Sequence, residues 1–288
     1  VALKALRENA DEREVLALVR EAVALSGVEG LGVPRVLRFG RLPGGTRSYL
    51  VRELVEGRSL AEHIATGTDT LACVSAIAQA ADQLTRLHRA LLLHGDVKPA
   101  NIIVDDAGRA TLVDLGLATA WREGGGKPEG ITPRYAAPEL FQGYALTVRA
   151  EVFALGISLR EALAAGGDHL SREMREALSH VVTRAVTEDP GARFPSADEL
   201  ASALRRAAHL AEPGSSSGGA ALVWPIVGLD ASSTELLGQI AALSRGGGIV
   251  VTGPPKAGRS TLLRRIAWSL GVERAVAWIE AGSVGNVE

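Results

Sequence analysis

Apolar residues recur at helical spacing across residues 10–26, where Val15, Leu18, Val19, Ala22 and Leu25 share a face and Ser26-Gly27 ends the run. Glu21 falls beside that face, on a stripe with Glu14, Leu18 and Leu25, so its carboxylate could point inward. Val36-Leu37-Arg38-Phe39 and Ser48-Tyr49-Leu50-Val51 read as strands joined by a Pro43-Gly44-Gly45 turn. A long helix is predicted from Leu71 to Leu93, marked by Leu71, Val74, Ile77, Ala81, Leu84, Leu87 and Leu91. Ile102-Ile103-Val104 and Ala110-Thr111-Leu112-Val113 flank Asp105-Asp106-Ala107-Gly108, the pattern of a hairpin. Val148 to Ala165 is apolar nearly all round, which predicts a buried helix. Further helices are expected at 170–187 and 196–211.

The pattern then breaks. Residues 211–219 are Ala-Glu-Pro-Gly-Ser-Ser-Ser-Gly-Gly, a flexible linker by composition. Beyond it Ile249-Val250-Val251-Thr252 reads as a short strand, followed by a glycine-containing loop from Gly253 to Thr261 and a helical run from Leu262 to Leu270. The expected division is therefore a first domain over 1–210, a linker over 211–224 and a second domain beginning over 225–288.

Composition narrows the function classes. The 288 residues are 47% hydrophobic and 22% charged, which suits a globular chain of about two domains. A net charge of −2 gives no electrostatic case for nucleic acid or an anionic membrane. No run approaches the roughly 18 apolar residues of a spanning helix. Cys73 stands alone, so no internal disulfide can form, and a reducing cytoplasm is the expected compartment. Arg far outnumbers Lys, a bias common in GC-rich bacterial genomes.

The hairpin at 102–113 brings Asn101, at its start, back beside Asp114, at its end. Two hard oxygen ligands together suit Mg²⁺, which keeps several waters and takes other ligands from phosphate. Asp96 and Lys98 sit one loop away, where a hydroxyl could meet a phosphoryl group. These residues together point to phosphoryl transfer.

The run His94-Gly95-Asp96-Val97-Lys98-Pro99-Ala100-Asn101, with Asp114-Leu115-Gly116, resembles the catalytic loop and metal-binding motif of eukaryotic-like Ser/Thr protein kinases. Other segments resemble that family in order: Val1-Ala2-Leu3-Lys4, Thr132 through Glu139, Glu151 through Gly156, and Asp189-Pro190 with Arg193. The resemblance covers about residues 1–210. It implies an α+β bilobal fold whose N-lobe is incomplete, because the two strands and Gly-rich loop that precede Lys4 in the family are not in this sequence. ATP and Mg²⁺ are the implied cofactors, and a protein of unknown identity is the implied substrate.

The resemblance also implies roles. Asp96 would be the catalytic base, with Lys98 and Thr132 beside it; Asn101 and Asp114 would hold the metal. Lys4 would bridge the nucleotide phosphates, paired with Glu21 in preference to Glu12 or Glu14. Ala2 and Ile103 would sandwich adenine, and the backbone of Glu53 and Val55 would bond its edge. Glu139 and Arg193 would form a structural ion pair, and Thr119 is a candidate phosphosite in an exposed loop.

Four positions depart from the family. Gly95 replaces the Arg of H-R-D, Glu151 the usual Asp, Leu115 the Phe of D-F-G, and Arg52 an apolar residue behind adenine. The first two touch the same loop support and could compensate each other. The loss of the Arg at 95 implies that the domain is not switched by activation-loop phosphorylation.

Gly253 through Thr261 fits the phosphate-loop pattern G-x-x-x-x-G-K-[ST] except for Arg259 in the Lys position. Gly253 and Gly258 would admit backbone N–H groups to phosphate, and Ser260 or Thr261 would ligate Mg²⁺. The region resembles the start of an AAA/STAND-type α/β P-loop NTPase module, and coupling between the two domains would follow. The alternatives are a pseudokinase scaffold, suggested by the departures, and a small-molecule phosphotransferase, whose loop also reads H-G-D-x-x-x-x-N.

Overall fold

The structure is a computed structural model that describes residues 1–28, 32–42, 47–67, 69–90, 92–120, 130, 132–211, 230–244, 246–254, 257–259, 262, 263 and 266. Two compact units divide the chain, Val1–Ala221 and Leu222–Glu288.

In chain order the first unit runs β1 (Ala2–Ala5), α1 (Glu12–Gly27), β2 (Val36–Arg41), β3 (Ser48–Arg52), β4 (Arg58–Ser59), α2 (Leu60–Thr66), α3 (Thr70–Arg89), β5 (Leu92–Leu93), β6 (Ile102–Val104), β7 (Ala110–Leu112), β8 (Thr119–Ala120), α4 (Pro138–Phe141), α5 (Val148–Gly166), α6 (Arg172–Ala185) and α7 (Ala197–Ala208). The second unit contributes α8 (Asp230–Ala241). Antiparallel β1-β3-β2 forms one sheet, β4-β6-β7 a second and β5-β8 a third.

Helix starts follow local chemistry. Asp11 and Glu14 form a capping box on α1, and Ser59 and Glu62 do the same on α2. Asp69, Thr147, Ser171 and Ser196 cap α3, α5, α6 and α7 through their side-chain oxygens. Each such cap stabilises its helix by about 0.5–2 kcal/mol. Helix α5 is buried on every side over Val152–Leu159 and packs against α3 and α6. Helix α3 packs against α7, and the pair is tied by an ion pair of Asp82 with the buried Arg205.

Two expected elements differ. Helix α3 stops at Arg89 rather than Leu93, because Leu92 and Leu93 pair with Ala120 and Thr119 as strand β5. That pairing also sets Thr119 in a half-buried strand, not in the exposed loop expected of a phosphosite. Ile249–Thr252 is not a strand: among the described residues nothing supplies a hydrogen-bonded partner, and Val250 is 86% exposed. Ile249 and Val251 pack instead against a small cluster of Leu236, Leu262 and Ile266. The Pro43-Gly44-Gly45 turn, most of the linker, and most of the 262–270 helix lie outside the described residues. No described helix is long and apolar enough to cross a membrane.

Candidate active site

The β6-β7 hairpin is built from its turn outward. Asp105 accepts from the N–H groups of Ala107 and Arg109, both at 2.9 Å, and Gly108 takes the left-handed conformation at φ +75°. Helix α3 then clamps the hairpin. Gln79 Oε1 accepts from Ala110 N at 3.0 Å and Gln83 Oε1 from Leu112 N at 2.7 Å. At the closed end, Val113 N donates to Asn101 O at 2.9 Å, which sets Asn101 next to the segment leading into Asp114. The glutamine pair was not anticipated from sequence, although its i, i+4 spacing on one helix face was the available signal.

Asp96 is the hub of the loop. Its Oδ1 accepts from Thr132 Oγ1 at 2.7 Å, and its Oδ2 accepts from Lys98 Nζ at 2.6 Å and Asn101 Nδ2 at 3.1 Å. Asn101 Nδ2 also donates to the Asp96 carbonyl at 2.8 Å. Thr132 gives its one proton to Asp96 and accepts from Lys98 at 3.1 Å. Both carboxylate oxygens are thus fixed, and Asp96 remains 11% exposed.

The support below this hub is buried. His94 is fully buried; its Nδ1 accepts from Asp96 N at 3.2 Å and its Nε2 donates to Val113 O at 3.0 Å. Burial holds its pKa below the ordinary imidazole value, so the neutral ring is the form that fits. Glu151 Oε1 accepts from Gly95 N at 2.7 Å, while its Oε2 accepts from His88 Nε2 at 2.6 Å. His88 was not among the residues expected to matter. Gly95 adopts φ +85°, and a Cβ there would lie 2.1 Å from Leu117 O. No side chain of any kind fits at this turn.

Lys4 Nζ lies 2.7 Å from Glu21 Oε2 and 3.2 Å from Asp114 Oδ1. Glu21 is 1% exposed, and its competitor Glu14 instead pairs with Arg7 and Asp11. Burial pulls the Lys4 ammonium pKa down, but its contacts with Glu21 and Asp114 outweigh that and raise it. Burial pushes Asp114 up, yet Lys4 leads the groups that hold it below the usual carboxylate range. Asp114 also has φ +66°, a conformation unusual for a residue with a side chain and concentrated at functional sites.

Ala2 is half-buried in β1 and Ile103 half-buried in β6, on different sheets. Glu53 N donates to Arg35 O at 2.9 Å, which leaves the Glu53 carbonyl rather than its N–H for a ligand; Val55 is half-buried in the same connection. Arg193 is buried against Glu139 through two bonds of 2.8 Å, and also donates to Thr187, Glu188 and Arg149 carbonyls. In the second unit Gly258 has φ +78° and Gly253 and Arg259 are placed, while Ser260 and Thr261 lie outside the described residues.

Among the described residues, a cavity of about 340 Å³ is lined by Arg58, Leu60, His63 and Cys73 and borders none of these groups. Asp96, Gly95, Thr132 and Glu151 border one of about 30 Å³. The hydrogen-bonded cluster, rather than concavity, locates the chemistry.

A carboxylate held by an ammonium and a hydroxyl, beside an amide and a carboxylate tied to a second lysine, is a set of groups chemically suited to phosphoryl transfer. The model of the protein kinase domain matches residues 1–203, and the chain belongs to that family. It is similar to the serine/threonine-protein kinase PknA of Corynebacterium glutamicum, 29% identical over 84% of this chain and 58% of the relative. It is likewise similar to drp72 of Corynebacterium efficiens, at 30% over 84% and 52%, and to PknB of Mycobacterium tuberculosis, at 28% over 84% and 42%. The chain spans about half the length of these curated relatives.

Proposed function

We propose that the first unit is an ATP-dependent protein serine/threonine kinase that moves the γ-phosphoryl group to Ser or Thr hydroxyls. The observation that carries this reading is the closed set of bonds from Thr132, Lys98 and Asn101 onto Asp96. As the substrate oxygen bonds to phosphorus, the bond to the ADP oxygen breaks and the hydroxyl proton passes to Asp96. Lys98 offsets charge on the moving group, and Thr132 fixes the carboxylate. Lys4, anchored by Glu21, meets the α- and β-phosphates. Ala2, Ile103, the Glu53 carbonyl and Val55 receive the adenine.

The residues fit Mg²⁺. Asn101 donates through its amide nitrogen to a carbonyl, which leaves its own oxygen as an acceptor, and Asp114 offers a carboxylate. Among the described residues no three His, Cys, Asp or Glu side chains could hold an ion unaided, so the remaining ligands would be water and phosphate. When bound, the ion supplies neutralisation of phosphoryl charge.

The second unit belongs, in this reading, to a P-loop NTPase-like module coupled to the kinase within a bacterial signalling protein located in the cytoplasm. Its support is the glycine turn and the packing of α8 on Leu262 and Ile266. A pseudokinase scaffold is the second reading, favoured by the replacement of Arg by Gly95 in the catalytic loop. Incubation with γ-³²P-ATP, Mg²⁺ and a generic protein substrate, followed by phosphoamino-acid analysis, separates them. Phosphoserine or phosphothreonine is expected; ATP binding with no transfer would establish the scaffold instead.

A further inference from the structure

The buried Glu21 carboxylate faces two cations. Lys4 Nζ lies 2.7 Å from Oε2, and Arg52 Nε lies 3.6 Å from Oε1. Lys4 also reaches Asp114, so Arg52, Glu21, Lys4 and Asp114 form a line of alternating charges. Arg52 sits at the inner end of that line with its side chain 18% exposed. It belongs to β3, the middle strand, in register with Ala2 on one side and Val36 on the other, so its backbone is held from both sides.

Without Arg52, two carboxylates would share a single ammonium. A carboxylate as buried as Glu21 is costly when uncompensated, so it would hold Lys4 tightly. An anionic ligand at Lys4 would then compete directly with Glu21 for the same charge. Arg suits this place because it stays charged when desolvated and its planar fork loses little on pairing. We propose that Arg52 is a positioning residue that neutralises Glu21 and so leaves the Lys4 ammonium available to nucleotide phosphate. The inference rests on the reading of Lys4 as a phosphate ligand.

The test uses Arg52→Met and Arg52→Lys in the 288-residue chain, each with wild-type Glu21 and with Glu21→Gln. Mg-ATP affinity is measured by titration calorimetry, and amide exchange is followed in α1 and, as a folding reference, in α3. Arg52→Met is expected to weaken affinity and speed α1 exchange, each by about tenfold, with α3 unchanged. Arg52→Lys should return both to within about threefold, and in the Glu21→Gln background Arg52→Met should change either by less than about twofold. Unchanged affinity and α1 exchange in Arg52→Met, or an equal loss in both backgrounds, would overturn the proposal. If α3 exchange also rises, Arg52→Lys decides: restored α1 protection supports the role and unrestored protection contradicts it. A wild-type chain that binds no ATP would remove the kinase reading, whereas the exchange arm would still report on the Arg52–Glu21 pairing.

Discussion

Gly95 and Gly253 both belong to segments whose sequences resemble phosphate-directed motifs, yet their surroundings differ. At Gly95 a Cβ would meet Leu117 O at 2.1 Å, whereas at Gly253 the nearest atom, Arg259 Cδ, is 3.7 Å away. The first turn is locked: Gly95 N binds Glu151, and the next residue is held by Thr132, Lys98 and Asn101. In the second, the described bonds are backbone ones, Ala257 N to Pro254 O at 3.3 Å and Leu262 N to Gly258 O at 2.8 Å. At φ +85° and against Leu117 O the turn excludes any side chain, arginine included, and Glu151 accepts from the Gly95 backbone N–H.

Substitutions of graded size sharpen that contrast. The largest loss is expected from Glu139→Gln, which strips the buried Arg193 of its counter-charge. Breaking such a pair costs about 3–5 kcal/mol, readable as a lowered denaturant midpoint with unchanged slope. Gly95→Ala should cost about 1–3 kcal/mol through its positive φ and the clash with Leu117, whereas Gly253→Ala should stay within about 0.5 kcal/mol. Equal effects at the two glycines would dissolve the comparison.

Acid supplies a further effect, graded by pH. Burial keeps the folded-state pKa of His94 below its ordinary value of 6.5, so the unfolded chain takes up this proton first. The stabilisation is present above pH 6.5 and is lost as pH falls toward the folded value. Its slope is at most about 1.4 kcal/mol per pH unit. Thermal melts between pH 7 and pH 5 should fall less steeply in His94→Gln, and an unchanged slope would remove His94 as the source.

Most of the first unit was legible because its signals are local. A helical stripe placed α1, a nearly all-apolar run placed α5, and turn residues placed β6 and β7, while periodicity ranked Glu21 above Glu12 and Glu14 as the partner that the family resemblance implies for Lys4. What escaped depends on partners distant in sequence. Leu92-Leu93 continues a helical pattern until Thr119-Ala120 captures it as a strand. His88 and Glu151 are 63 residues apart and meet only when α3 and α5 pack. Ile249–Thr252 has strand composition, but composition cannot provide the neighbouring strand that a ladder requires. Gly95 shows the same limit, since sequence registers a missing arginine and not the carbonyl that forbids it.

The central claim is that Asp96 accepts the proton of the attacking hydroxyl. Rapid-quench measurement of single-turnover transfer from saturating Mg-ATP, in the wild-type chain and in Asp96→Asn, tests it most directly. The mutant is predicted to bind ATP with wild-type affinity and to transfer at least about 10²-fold more slowly. Equal single-turnover rates in the two proteins would contradict the account.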